Sequence, residues 1–358
     1  MVLRPSSATD TVDRGVDVQV VRHYGPATGF SGGMAAVLEA VLELPLRRYR
    51  VELVATWTPT ARFWGAWPFV RALRGLLRRD RHRPIAHVHL SVGGSFVREG
   101  ALCVAARARG LPLVVSLHGG ELPEFADRHP RLVRFVLRHA DAVVALGPEG
   151  AHWAQAWVPP RTRVEIIPNP VESVTDATPA GDAEERVVFA GTLSRLKGVD
   201  VLLDAWPEVR ARRPGAQLVL AGPPGDVPVA PTTGIVVTGA VTRQEVRQFL
   251  AGGRLAVLPS RVEVLPMFLL EAMASARPVV ATAVGDVAWL VGSDGQLVPV
   301  GDASALAHEI AKLLEDGDAA TIAGARLRDR AEQNFAPATI GEHLETLYDF
   351  AVTHAAGR

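Results

Sequence analysis

ERVVFAGTLSRLKGVDVLLDAW, residues 185–206, carries the signals that decide the fold. An apolar run ends at Gly191, as in a strand buried on both faces. A polar loop follows, and apolar residues then return at helical spacing from Gly198. A strand, a glycine-bearing loop and a helix form the repeating unit of an open parallel sheet. Lys197 stands at the expected helix start, where free N–H groups and the helix dipole favour an anion. The phosphate loop pattern G-x-x-x-x-G-K-[ST] is absent, and a solvated loop would read the same way.

The unit repeats in both directions. Upstream, strand-like runs stand at 16–22, 50–56, 85–90, 111–118 and 141–147, separated by helical stretches such as 32–44 and FVREGALCVAARARG. Downstream they stand at 216–222, 234–239, 255–260, 277–282 and 296–300. Between the two series lies IPNPVESVTDATPAGDAEE (167–185), Pro-rich and polar, which reads as a weakly ordered linker. The expected architecture is therefore α/β, with two doubly wound, Rossmann-like domains facing a central cleft. A chain of 358 residues suits two domains better than one core.

Composition narrows the function classes. Lys and Arg together number 38, as do Asp and Glu, but the balance is uneven along the chain. Met1–Glu172 holds 22 Arg, no Lys and 15 acids, a net of +7. The remainder holds 38−22=16 basic and 38−15=23 acidic residues, a net of −7. A basic first half suits an anionic partner or surface, or is simply solvated. The single cysteine, Cys103, sits in an apolar run, which fits core packing and a reducing compartment. The N-terminus lacks the apolar centre of a signal peptide and no run is long enough to span a bilayer. A cytoplasmic protein is expected, with peripheral contact at the inner membrane face as an option. Nothing in the pattern calls for nucleic acid.

Three further stretches carry chemistry. TGFSGGMAAVLEAV (28–41) places Gly32 and Gly33 at a turn before a helix, where backbone could approach a ligand. SLHGGELPEF (116–125) puts His118 at a strand's carboxyl end, on the ligand side of such a sheet. His87 and His89 share one face within their strand and read as packed, hydrogen-bonded histidines, a poor metal site without Cys or carboxylate neighbours. PSRVEVLPMFLLEAMASARPVVAT (259–282) sets Glu263 and Glu271 eight residues apart in an apolar segment, with Pro266 suited to the first helical position. Two acids at one helix N-terminus can take sugar hydroxyls while N–H groups meet phosphate. The alternative is a capping Glu263 and a surface-facing Glu271.

Together these stretches resemble the GT4 family of retaining glycosyltransferases with the GT-B fold, over nearly the whole chain and in the family's order. The family's E-x7-E element looks like Glu263 to Glu271, its Gly-rich loop and Lys-Gly pair like GTLSRLKG, and its early Gly-Gly like Gly32-Gly33. Its I-P-N element appears as Ile167-Pro168-Asn169 and its closing D-x-x-x-L-A as Asp302 to Ala307. The resemblance implies residues 1–172 as an acceptor domain, completed by a C-terminal helix at 339–358, and 173–338 as a nucleotide-sugar donor domain. It implies Lys197 at the donor diphosphate, Glu271 on ribose hydroxyls, and Glu263 with the backbone of Leu265, Pro266 and Met267 at sugar and phosphates. His118 would contact the transferred sugar and Gly33 the phosphates, with Asn169, Gly191 and Thr192 also lining the donor site. Catalysis would thus fall to His118, Lys197 and Glu263. The donor would be of UDP or GDP type, with no further cofactor and no metal, since no D-x-D element stands in a metal-binding setting. The acceptor would be a glycan, a lipid-linked intermediate or a small molecule, in cell-surface polysaccharide or glycolipid synthesis.

The chain also departs from the family. Thr192 replaces a frequent Arg, for which Arg195 could substitute; Val264-Leu265-Pro266 replaces Gly-Phe-Gly; Asp286 and Trp289 replace Gly and Glu. A nucleotide-sugar epimerase, or a binding protein without catalysis, are the rival readings. A last expectation concerns 57–83, where Phe63, Trp67, Val70, Leu73 and Leu77 share one helical face and Arg71, Arg74 and Arg78 another, followed by Arg79, Arg81 and Arg83. Such a basic amphipathic helix suits either an anionic membrane surface or a core contact with a solvated arginine face.

Overall fold

The computed structural model describes residues 18–29, 33–58, 66–78, 80 and 83–357. Gly32, Phe63, Arg79 and Arg81 lie outside them, as do 16–17 of the first expected strand. Among the described residues, twelve strands form two six-stranded sheets. The first sheet uses β1 (Gln19–Pro26), β2 (Tyr49–Trp57), β3 (Ile85–Leu90), β4 (Leu113–Leu117), β5 (Ala142–Ala145) and β6 (Arg163–Ile166). Its order is β2-β1-β3-β4-β5-β6, with every pairing parallel. The second uses β7 (Glu184–Ala190), β8 (Gln217–Ala221), β9 (Ile235–Gly239), β10 (Gly253–Leu258), β11 (Val279–Thr282) and β12 (Gln296–Val298). Its order is β12-β11-β10-β7-β8-β9, again all parallel.

The central strands are apolar because helices cover both faces of each sheet. β3, β4 and β5 are buried throughout, and Cys103 lies in the helix Gly94–Ala108. Cys103 is fully buried, and burial pushes its thiol up, away from the reactive form. Chain order reverses between β1 and β3 in the first sheet and between β7 and β10 in the second. Ligands in open parallel sheets bind outside the carboxyl ends of strands at such reversals.

Two compact units result. One takes β1, Val37–Asn169 and the C-terminal helix Pro337–Ala356; the other takes Pro170–Ala336 and the first turn of the helix Gly33–Leu42. In the first unit Glu345 ties the C-terminal helix down by accepting from the backbone N–H groups of Arg47 and Arg48, both at 2.6 Å.

Two details differ from the sequence pattern. β6, RVEI, escapes a hydrophobic search because it is a four-residue edge strand with an Arg163–Glu165 ion pair across its face. The segment 167–183 has no helix or strand, as a linker should, yet it is pinned rather than loose. Arg254 donates to the carbonyls of Gly181 (2.8 Å) and Ala183 (2.9 Å), and buried Arg277 donates to that of Thr178. Burial lowers the Arg277 pKa to about 10, which still leaves the guanidinium charged at neutral pH.

Candidate functional site

The second unit gathers the expected donor residues at its sheet reversal. The loop after β7 carries Gly191, Thr192, Arg195 and Lys197; the loop after β10 carries Ser260, Arg261 and Glu263. Gly198 brings the two loops together. Its φ is +71°, and a Cβ there would fall 1.9 Å from the Pro259 carbonyl oxygen, so only glycine lets the chains approach. The helix Val199–Arg212 starts on the next residue. Gly285 does the same on the far side of the Glu263 loop, at φ +52°, where a Cβ would lie 2.2 Å from the Glu263 carbonyl oxygen.

Lys197 and Glu263 meet across this junction. Lys197 Nζ donates to Glu263 Oε1 at 2.6 Å, and Ser260 Oγ donates to the same oxygen at 2.8 Å. The side chains are 29% and 8% exposed, so the ammonium is the more open partner. Glu263 therefore does not cap the helix Met267–Ala274, which has no side-chain cap bond. Behind this pair, Arg261 grips Asp200 with both guanidinium nitrogens, at 2.8 and 2.9 Å. The Arg261 guanidinium holds the Asp200 carboxyl below its usual range. Arg195 is exposed and reaches Asp200 at 3.3 Å, while its N–H donates to Asp226 Oδ1 at 2.9 Å. Thr192 is exposed on the loop next to Gly191.

Glu271 is buried rather than surface-facing, and it forms an ion pair with Arg243. Arg243 opens the helix Arg243–Gly252, whose start is fixed by a capping box between Thr242 and Glu245. The two pairs answer how two carboxylates sit in an apolar segment: each faces a cation from another part of the chain, Lys197 from a loop and Arg243 from a helix start. Leu265 and Met267 are buried beside them, and Pro266 stands one residue before the helix in extended conformation. Trp289 packs edge-on against Phe335, and the Asp286 N–H donates to the Val264 carbonyl at 3.1 Å, so both departures brace the unit.

In the first unit, the N–H of His118 donates to the Leu90 carbonyl at 2.7 Å, which seats His118 at the carboxyl ends of β3 and β4. Its ring is buried and bonded to His89, and burial lowers its pKa to about 4. Asn169 is buried at the end of this unit's central segment. Gly33, which clusters with the second unit, begins the helix Gly33–Leu42, and among the described residues a Cβ there would meet nothing within 4 Å. His87 and His89 are packed and hydrogen-bonded, as their strand position suggests. The sequence did not single out Arg243, Ser260, Arg261 or Asp200. The two loop partners flank Glu263 and were accessible to inspection, whereas nothing in the pattern links Arg243 to Glu271.

Comparisons with known proteins agree with this layout. The Glycosyl transferase 4-like domain family matches residues 7–170, and the Glycosyl transferases group 1 family matches residues 184–316. An alpha-D-kanosaminyltransferase of Streptomyces kanamyceticus is 28% identical over 314 residues, covering 76% of this chain and 78% of its own. A D-inositol 3-phosphate glycosyltransferase of Catenulispora acidiphila is 30% identical over 287 residues, covering 68% of this chain and 66% of its own. The Anabaena protein HepE, solved in complex with UDP and glucose, superposes with a TM-score of 0.69 at 20% identity, over 91% of this chain and 98% of its own. The two family matches, in this order along two parallel six-stranded sheets, show that the chain belongs to the GT4 glycosyltransferases and has the GT-B fold.

Proposed function

We propose that the chain moves a sugar from a nucleoside diphosphate sugar onto an acceptor hydroxyl with retention of anomeric configuration and without a required metal. The observation that carries this reading is the Lys197–Glu263 pair at the reversal of the second sheet, beside a helix N-terminus. A diphosphate arriving there draws the partly open ammonium away from Glu263, and the freed carboxylate accepts sugar hydroxyls. The bond between the anomeric carbon and the diphosphate breaks, and Lys197 stabilises the charge left on phosphate. The acceptor oxygen bonds to the anomeric carbon on the same face, and its proton passes to the departing phosphate oxygen. Glu271, steadied by Arg243, takes ribose hydroxyls, while Arg195 and Arg261 add positive charge near the phosphates. In the first unit, His118 meets a sugar oxygen. HepE's complex with UDP and glucose supports this choice of donor class.

Proton NMR of the product made with chelator present tests this: an anomeric configuration equal to the donor's is expected. An inverted product, or loss of transfer on chelation, contradicts it. Conversion of the donor sugar without acceptor would favour an epimerase.

We propose further that the acceptor side touches an anionic membrane surface. In the helix Trp67–Leu77 the core contact is made by Phe69, Ala72 and Leu76, joined by Leu73 at the edge of the apolar stripe, while Trp67 and Leu77 stay outside it. Trp67 and Leu77 are 55% and 50% exposed, alongside exposed Arg71, Arg74 and Arg78. Among the described residues no helix is long and apolar enough to cross a membrane, so contact would be peripheral. In flotation the protein is expected to rise with anionic vesicles and not with neutral ones, and Arg71→Ser/Arg74→Ser is expected to abolish the difference. Equal recovery with both lipids contradicts the contact.

A further inference from the structure

Six side chains of the first unit form one unbroken line of hydrogen bonds. Ser116 Oγ lies 2.6 Å from His87 Nε2, and His87 Nδ1 lies 2.9 Å from the Tyr348 hydroxyl. That hydroxyl lies 3.2 Å from His23 Nε2, and His23 Nδ1 lies 2.8 Å from His89 Nε2. His89 Nδ1 lies 2.9 Å from His118 Nε2. All six residues are buried. They come from β1, β3, β4, the residue after β4 and the C-terminal helix, so the line is a product of the tertiary fold.

Burial also keeps the rings neutral: the His23 pKa falls to about 3, that of His118 to about 4, and those of His87 and His89 well below the usual value. A neutral imidazole carries one N–H and one lone pair. Each histidine inside the line must therefore give at one side and take at the other; the Tyr348 hydroxyl could accept from both sides, but its own buried hydrogen would then lack an acceptor among the described residues. Reversing one member alone would set two hydrogens, or two lone pairs, face to face. The line thus has two directions that leave the Tyr348 hydrogen with an acceptor.

Its closed end selects between them. Among the described residues, Ser116 Oγ has His87 Nε2 as its one hydrogen-bond partner. If Ser116 donates, no hydrogen is stranded. If His87 donates instead, the serine's own hydrogen is buried without an acceptor, the costlier outcome. The direction that follows is Ser116 to His87, His87 to Tyr348, Tyr348 to His23, His23 to His89, and His89 to His118. In that direction every one of the four histidines is protonated at Nδ1, and the last Nδ1–H, on His118, points out of the line.

We propose that this line fixes His118 as the Nδ1–H tautomer, so that it meets a sugar oxygen as a hydrogen-bond donor and not as a base. His89, His23, Tyr348, His87 and Ser116 are its positioning residues. The role given to His118 rests on the glycosyl-transfer reading above; the tautomer does not. A metal held by His23, His87 and His89, whose nitrogens lie within 4.8 Å of one another, is the competing use of these rings. It would have to break the line, because both nitrogens of all three are already engaged.

The test is long-range nitrogen–proton correlation NMR on the intact, histidine-labelled chain at neutral pH. All four rings are expected to show a protonated Nδ1 and a bare Nε2, the minor tautomer of free histidine. A protonated Nε2 on His118 overturns the proposal, as does a set of rings with mixed tautomers. The second arm is turnover. Asparagine presents an amide N–H where Nδ1–H stands, and glutamine presents one further out. His118→Asn is therefore expected to keep at least tenfold more of kcat/KM than His118→Gln, and equal loss overturns the donor role. Absence of sugar transfer by the wild-type chain would strike the glycosyl-transfer reading, while the NMR result would still decide the tautomer.

Discussion

Lowering the pH from 7.5 to about 5 is expected to remove most of the stability of the first unit. His23, His87, His89 and His118 all have folded pKa values depressed by burial, with His23 at about 3 and His118 at about 4. An unfolded histidine titrates near 6.5. Below that point the unfolded chain binds protons that the folded chain refuses, so stability falls as pH falls. Above 6.5 the contribution of the neutral rings is fully present. Between 6.5 and the folded values each ring costs up to about 1.4 kcal/mol per pH unit, or roughly 5 kcal/mol per unit for four. A domain's whole stability is about 5–15 kcal/mol, so one to two pH units suffice for unfolding. Urea denaturation followed by circular dichroism at a series of pH values checks this. His23→Gln should reduce the slope by about a quarter, since it removes one of four such protons. A midpoint that stays level between pH 7 and 5 would show that the rings titrate normally.

The second large effect is on turnover. Lys197→Met keeps the length of the side chain and removes its charge. If the ammonium stabilises the departing diphosphate, kcat/KM is expected to fall by about 10²–10³, which corresponds to about 2.7–4 kcal/mol of transition-state stabilisation. The variant also leaves Glu263, 8% exposed, with Ser260 but without its cation. Some stability is lost for that reason, on the order of 1–3 kcal/mol. Adding Glu263→Gln removes the stranded charge and should restore the melting temperature without restoring turnover. Recovery of both together would mean that Lys197 only holds the loop.

Much of the scaffold was legible because it depends on local pattern. Apolar runs marked all six strands of the second sheet, and the Gly198 turn marked the helix behind Lys197. Patterns failed where one face of an element had two possible destinations. Trp67 and Leu77 fall within an apolar stripe, yet the core takes Phe69, Ala72 and Leu76 from the neighbouring face and, of the stripe, Leu73 at its edge. Partners distant in sequence were also hidden. Glu271 finds Arg243 across 28 residues, and His87 finds Tyr348 across 261. Periodicity places a residue on a face, but only the assembled sheet says which other side chain arrives there.

The central claim is that the second unit binds a nucleoside diphosphate sugar through Lys197 and the loops beside it. Calorimetric titration of the intact chain with UDP, GDP and their sugar conjugates tests it most directly. One base series is expected to bind, with the diphosphate tighter than the corresponding monophosphate and with Lys197→Met weakening it at least tenfold, or about 1.4 kcal/mol. Binding that is the same for monophosphate and diphosphate, and unchanged by Lys197→Met, would contradict the account.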